Sequence, residues 1–275
     1  MSLSRPAWLQ DLVVRARKSD FVARNKRWIP QRLRKLGWEL AKSRSIYHVL
    51  GSEVYVPPDA RNQGIALDQY EPEVTARIQE IVKEGMTVCD VGANIGLITL
   101  LASRLAGPTG RVVAFEPVPD NAEILHGNIQ RNGCQNVTVI EKAVGAKPGC
   151  AEIHLSDHRG SHSLLPKLEH GTGRTLAIEV VRLDSLPELQ KIDLLKIDVE
   201  GLEIEVLKGL GKVRPSYVIL EFNSERCAAA GMNWAAFRQN LQGLGFNDIE
   251  CLDDPKCDLD RLDEKPVSVN LFMRG

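Results

Sequence analysis

The sequence predicts an α/β fold, a mostly parallel sheet flanked by helices, with a helical extension at the N-terminus. Three observations carry that expectation. Between Thr87 and Pro117, a short apolar run to Val91 breaks into Gly92-Ala93-Asn94-Ile95-Gly96, an amphipathic segment reaches Ala106, and a second apolar run from Arg111 to Phe115 ends on Glu116. This is strand, glycine-rich turn, helix, strand and acidic residue, the first half of a nucleotide-binding α/β fold. Further along, Ile192 to Ile197 and Tyr217 to Leu220 are nearly continuous apolar runs, as expected of strands buried on both faces. Helix-like and strand-like segments alternate between these landmarks, which implies parallel pairing.

The N-terminal extension comes first. From Trp8 to Ala41 the apolar spacing is mostly helical, with Trp8, Leu9, Leu12, Val13 and Ala16 on one face and Leu33, Leu36, Trp38 and Leu40 on another. Pro30 starts the second helix, where its missing N–H costs nothing. Residues 1–50 hold twelve Lys/Arg against three Asp/Glu, a balance of +9 that leaves -10 for the rest of a chain whose net charge is -1. Such asymmetry fits either a solvated helical surface or an arm that meets an anionic partner. With so few apolar anchors per helix, covering the main domain or pairing with a second subunit is favoured over peripheral membrane contact. The expected division is a basic helical extension, 1–50, and a main domain, 51–275.

Within the main domain, Gly51 to Gly64, with Pro57-Pro58 at its centre, reads as a loop. Pro72 to Glu84 reads as a helix closed by Gly85. The turn Gly107-Pro108-Thr109-Gly110 separates the helix of the opening stretch from its second strand. Pro119 to Arg131 is a helix, Val137 to Ile140 a strand, and residues 151–155 and 176–183 alternate as strands do. His158-Arg159-Gly160-Ser161-His162-Ser163 is polar and aperiodic, a loop. Leu202 to Leu210 and Trp234 to Leu244 are helices. Phe246 to Leu252 and Val267 to Met273, with no helix between them, should form an antiparallel pair at one edge.

The six cysteines show neither disulfide nor zinc spacing, which suits a reducing compartment. No apolar run approaches the ~20 residues needed to span a bilayer, and no signal-peptide core is evident. A cytoplasmic protein without a nucleic-acid partner is expected.

In an open α/β sheet, ligands bind beyond the carboxyl ends of the strands. The polar residues closing the predicted strands are Asp90, Glu116, Glu141 with Ala143, Asp198 with Glu200, and Glu221 with Asn223. A site ringed by acids suits a cationic or polyhydroxylated ligand and repels pyrophosphate. Gly92 permits a tight turn and Gly96 close packing of the helix. Asn94 occupies the usual place of a second glycine, and can cap a helix whose free N–H groups would receive a carboxylate. Glu116 can accept both hydroxyls of a ribose. S-adenosylmethionine, with a carboxylate, a sulfonium cation and a ribose diol but no phosphate, fits better than NAD. An NAD-linked oxidoreductase and a non-catalytic binding module remain as alternatives.

Asp90-Val91-Gly92-Ala93-Asn94-Ile95-Gly96, Phe115-Glu116-Pro117, Lys142-Ala143-Val144-Gly145 and Lys196-Ile197-Asp198-Val199-Glu200-Gly201 resemble the motifs of the FkbM family of S-adenosylmethionine-dependent methyltransferases. Gly160-Ser161-His162-Ser163-Leu164 and Leu220-Glu221-Phe222-Asn223 resemble weaker signatures of that family, and the likeness runs from about Tyr70 to Met273. The resemblance implies a Rossmann-like fold with a seven-stranded sheet and O-methylation of a hydroxyl on a sugar or natural-product acceptor. It further implies that Asp90, Gly92 and Asn94 surround the methionine part of the cofactor, that Glu116 holds the ribose, that the segment at Ala143 flanks the adenine, and that Asp198 faces the methyl-transfer centre.

An alcohol is a poor nucleophile until a base or metal draws off its proton. Asp198, Glu221 and Asn223 close two buried strands, a placement similar to the Mg²⁺ site of catechol-type O-methyltransferases, and oxygen ligands suit a hard cation. Against that stands a plain role for Asp198 at the cofactor and for Glu221 at the substrate. His158 and His162 are the other candidate bases. Tyr70 and Glu71, just before the first helix of the domain, are candidates for closing over the cofactor.

Overall fold

The structure, a computed structural model, describes residues 46–57, 65, 68–156, 162–165, 171–254, 256–262 and 266–275. Contacts divide the chain into two units, Met1–Ser43 and Arg44–Gly275. The expected helices between Trp8 and Ala41, and the membrane or subunit contacts assigned to them, lie outside the described residues, as does His158.

Seven strands form the central sheet: β3 (Thr87–Val91), β4 (Arg111–Phe115), β5 (Val137–Ile140), β9 (Leu194–Ile197), β10 (Tyr217–Asn223), β11 (Ile249–Cys251) and β12 (Ser268–Arg274). Their order is β11-β12-β10-β9-β3-β4-β5. All neighbours from β10 to β5 are parallel, and β12 pairs antiparallel with both β10 and β11. This is the Rossmann-like seven-stranded arrangement, with the antiparallel pair at the edge where the sequence puts it.

Strand periodicity distributes side chains to two faces. Val88, Val112, Leu194, Ile219 and Phe272 pack against α1 (Pro72–Ile81) and α2 (Leu97–Ala106) through Val74, Ile78, Ile98, Leu101 and Ala102. Cys89, Val91, Leu195, Ile197, Val218 and Leu220 pack the other way, against α4 (Glu203–Lys208) and α6 (Trp234–Gly243). There Phe222 meets Trp234 and Phe237 edge-on, with ring centroids 4.9 and 5.0 Å apart. Each such large apolar side chain contributes about 1.5–3 kcal/mol on burial. Between these elements run α3 (Pro119–Arg131) and the short α5 (Ser224–Ala229).

Three differences from the sequence expectation concern elements. The expected loop Gly51 to Gly64 begins as a strand: β1 (Ile46–Val49) and β2 (Ser52–Tyr55) form a hairpin about a turn at Leu50-Gly51. Proline and glycine density drew attention from the alternation of buried Ser52 and Val54. The first helix ends at Ile81, because Val82 is already extended. Finally, β6 (Ala143–Val144), β7 (Gly149–Ser156) and β8 (Gly171–Val181) form a separate three-stranded sheet, ordered β6-β8-β7. Its apolar side gathers Ala143, Ile153 and Ile178 with Val118.

Candidate functional site

The strand order reverses between β3 and β9. β4 and β5 follow β3 on one side, and β10 follows β9 on the other. Loops leaving the two strands diverge there and leave a crevice. A cavity of about 490 Å³ occupies it, within the range of small-molecule and cofactor sites. The two turns meet directly. Asp198 N–H donates to Val91 O (2.9 Å), and the N–H groups of Gly92 and Ala93 both donate to Phe115 O. Gly92 has φ 85°, and a Cβ there would lie 1.9 Å from Asp198 O, so only glycine fits. Gly96 (φ 95°) caps α2, and a Cβ on it would strike Leu125 of α3.

Asn94 therefore does not cap the helix as its type suggested. It adopts φ 51°, and its backbone N–H donates to Glu116 Oε2 (2.8 Å). Its Oδ1 is buried and has no hydrogen-bond partner among the described residues. Glu116 Oε1 accepts from Val118 N–H (2.9 Å), and Asn121 adds a side-chain hydrogen bond. These bonds anchor a carboxylate that is almost wholly buried. Burial outweighs them and pushes Glu116 up to about 7.

Asp90 lies inside β3, fully buried. Its Oδ2 accepts from the Thr99 hydroxyl (2.6 Å), while Oδ1 has no partner among the described residues. Lys196 stands beside it in register on β9, and donates from Nζ to Asp198 Oδ2 (3.0 Å). Glu71 joins the same charge cluster from the N-terminus of α1, with φ 39° and a side-chain hydrogen bond from Tyr70. Burial raises the carboxyls of Asp90 and Glu71, with Lys196 acting against the shift. The same burial, with Glu71 and Asp198 alongside, raises Tyr70 further. Lys196 lies within one of the family-like motifs but carries no role in the sequence expectation. Its signal was a lysine inside an otherwise apolar strand.

Toward the end of β9, Asp198, Glu200 and Glu221 each bring a carboxylate oxygen within 4.8 Å of the others. Burial, with Asp198 and Glu221 adjacent, pushes Glu200 up to about 9, although Arg226 Nε sits 2.6 Å from its Oε2. Asn223 is not part of this group. Its Oδ1 accepts from Arg226 N–H and caps α5. Lys196 and Arg226 already occupy two of the three carboxylates, so the donor set does not suit Mg²⁺. Glu141 also leaves the expected ring of acids, pairing with His126 on the surface.

The three-stranded sheet supplies the remaining wall. Ala143, Ile153, Ile178 and Leu164 line it. His162 also lines the cavity, and its Nδ1 accepts from Ser156 N–H (2.9 Å). The Ser163 hydroxyl donates to Glu200 O (3.0 Å), tying this wall to the turn after β9. Five non-glycine residues among those described have positive φ, and three of them, Glu71, Asn94 and Glu200, line the cavity. Such backbone strain gathers where function requires it. The structure thus brings together Tyr70, Glu71, Asp90, Gly92, Asn94, Glu116, Ala143, His162, Asp198 and Glu221 of the expected residues around one cavity. Gly96 lies behind them, at the start of α2.

Residues 90–247 match the Methyltransferase FkbM domain. The chain is 29% identical over 155 residues to methyltransferase sdnD of Sordaria araneosa, covering 45% of this chain and 60% of that protein. It is 31% identical over 163 residues to the hexuronic acid methyltransferase AglP of Haloferax volcanii, covering 56% and 63%. The chain thus spans less than two thirds of either relative. Among solved structures, an S-adenosylmethionine-dependent O-methyltransferase from Thermotoga maritima aligns with a TM-score of 0.44 at 17% identity, over 74% of this chain and 64% of that one. The domain match covers more than half of the chain and includes the turn after β3, Glu116 and the turn after β9. The chain belongs to the FkbM methyltransferase family.

Proposed function

We propose that the chain is an S-adenosylmethionine-dependent methyltransferase that methylates a hydroxyl group of a sugar or natural-product small molecule. The observation that carries the reading is the pairing, in one cavity, of an anchored ribose-type carboxylate with an acidic wall at the switch point. Glu116 keeps lone pairs for a diol after accepting from two backbone N–H groups. Asp90 Oδ1 and Asn94 Oδ1 are buried acceptors in want of donors, and such atoms are costly unless a ligand satisfies them. The methionine end of the cofactor, with its ammonium group, meets that need near Gly92. Ala143, Ile153 and Ile178 offer an apolar slot for a base, and Tyr70 and Glu71 border the cavity beside the methionine end. The residues present therefore fit S-adenosylmethionine.

When bound, the cofactor supplies an electrophilic methyl group on a cationic sulfur. The chain must then orient the acceptor oxygen in line with that methyl and receive its proton. Asp198 is the proposed proton acceptor. His162 is better suited to donate: with Nδ1 accepting from a backbone N–H, the proton of the neutral ring sits on Nε2. The name of the Haloferax relative supports a sugar acceptor.

Purified enzyme with methyl-labelled cofactor and a panel of sugars and hydroxylated natural products should yield products heavier by one methyl group, attached at oxygen. Methylation found only at nitrogen or carbon would refute the reading. With Lys196 and Arg226 holding the acidic cluster, turnover should be unchanged after EDTA treatment. Loss of activity restored by Mg²⁺ would reinstate a metal.

A further inference from the structure

Lys196 is a buried lysine in the middle of a parallel strand, and beyond pairing with Asp198 it has no part in the proposed chemistry. Its ammonium group donates to Asp198 at 3.0 Å, its strand position is paired with Asp90, and Glu71 approaches from the N-terminus of α1. Three carboxylates from three separate elements thus surround one fixed cation at the end of the cavity where Gly92 and Asp198 touch. Burial acts to lower the lysine, but Asp198, Glu71 and Asp90 outweigh it and hold it above its ordinary value, which favours the ammonium form. A buried charge on this scale persists only when paired, yet it is placed in a site whose ligand is itself cationic. That placement needs a reason beyond stability.

We propose that Lys196 is a charge-balancing, positioning residue of the methyl-donor subsite, holding down the affinity for the cationic cofactor relative to its uncharged thioether product. Methyl transfer removes positive charge from sulfur: an oxygen lone pair forms the new C–O bond, the C–S pair returns to sulfur, and the hydroxyl proton passes to a carboxylate. Attraction that is strongest before the reaction deepens the ground state more than the transition state and slows the step. Asp90, Glu71 and Asp198 without a counter-ion would bind the sulfonium in that unproductive way. Lys196 cancels one of the charges and holds Asp198 in place. The inference rests on S-adenosylmethionine dependence, not on the identity of the acceptor.

Titration calorimetry of the full chain with S-adenosylmethionine and with S-adenosylhomocysteine tests it without any acceptor. Both ligands carry the same carboxylate and ammonium, so their comparison isolates the sulfonium. In Lys196→Met, the ratio of Kd for S-adenosylhomocysteine to Kd for S-adenosylmethionine should rise at least tenfold, the order expected for one charge about 10 Å away at an effective dielectric constant of about 20. Lys196→Arg, which keeps the charge, should leave the ratio near that of the wild type. Should Lys196→Met not fold, Lys196→Gln keeps a donor for Asp198 without the charge and carries the same expectation. Equal weakening of both ligands would overturn the proposal, assigning Lys196 to the cofactor carboxylate or to the fold, and an unchanged ratio would overturn it as well. Failure of the wild type to bind either ligand would instead overturn the cofactor site itself, and this inference with it.

Discussion

Asn94 shows how a residue's conformation can separate two roles that its type leaves open. A capping asparagine would accept a backbone N–H from the helix, but here Gly96 occupies the cap and the amide oxygen of Asn94 is buried without a partner among the described residues. An unsatisfied buried acceptor costs about 1–3 kcal/mol, and φ 51° adds strain that glycine would not feel. Asn94→Gly should therefore raise the melting temperature of the ligand-free protein while weakening S-adenosylmethionine binding. Asn94→Ala, strained at the same φ, should gain less stability. Unimpaired calorimetric affinity in the glycine variant would return Asn94 to a purely structural role. Glu116 makes a second prediction at this scale. Its carboxyl is raised to about 7 by burial, and hydroxyl donors from a ribose favour the ionised form. Binding should then release a proton below that pH, and affinity should fall as pH drops from 8 to 6. In Glu116→Gln the affinity should be lower at pH 8 and its dependence on pH reduced. A wild-type affinity independent of pH would count against Glu116 as the ribose ligand.

At the scale of elements, the hairpin β1–β2 is joined to α3 by two asparagines one helical turn apart. Asn128 Oδ1 accepts from Tyr55 N–H and its Nδ2 donates to Tyr55 O, while Asn132 repeats the pattern with Glu53. The two amides bond to the edge of the hairpin as a third strand would. Asn128 is fully buried and also donates to Ile95 O beside the glycine-rich turn. Asn128→Ala should cost about 3 kcal/mol, because it strands buried backbone groups, and Asn132→Ala should cost less, being more exposed. Chemical denaturation measures both, and equal costs would show that burial does not set the difference. No periodicity could have announced this joint, since it depends on residues 73 and 79 positions apart. The strands and helices of the central sheet were legible because each carries its own signal: apolar runs for β9 and β10, helical spacing for α2, and Pro119 opening α3. The three-stranded sheet was half legible. Alternation marked β7 and β8, but their separation from the main sheet is a matter of pairing, which local pattern does not encode.

Across the whole molecule, the candidate site was legible where a polar residue closes a strand, as at Glu116 and Asp198, both of which line the cavity. It was not legible where chemistry arises from juxtaposition: Lys196 against Asp90, Arg226 against Glu200, or Asn223 turned into a cap. What juxtaposition creates here is a store of buried acid. Glu116 and Glu203 are each raised to about 7 and Glu200 to about 9, with burial the first cause in every case. An acid with a raised pKa keeps its proton in the folded state after the unfolded chain has released it. Between the unfolded value near ~4.5 and the folded one, the folded state binds more protons, so stability falls as pH rises. Asp184, lowered by Arg182, changes stability only at more acidic pH, and Lys196, raised, has no effect until alkaline pH. Each unit of difference is worth about 1.4 kcal/mol, enough over three groups for the melting temperature of the ligand-free enzyme to drop by several degrees from pH 5 to pH 8. Saturating S-adenosylmethionine should flatten that slope, since its cationic and hydroxyl groups favour the ionised carboxylates and stabilise the folded state by linkage. Thermal scans across this range with and without cofactor test both parts. A melting temperature that is level or rises toward pH 8 without ligand would mean that these carboxyls are already ionised in the fold, with water or neighbouring cations offsetting their burial.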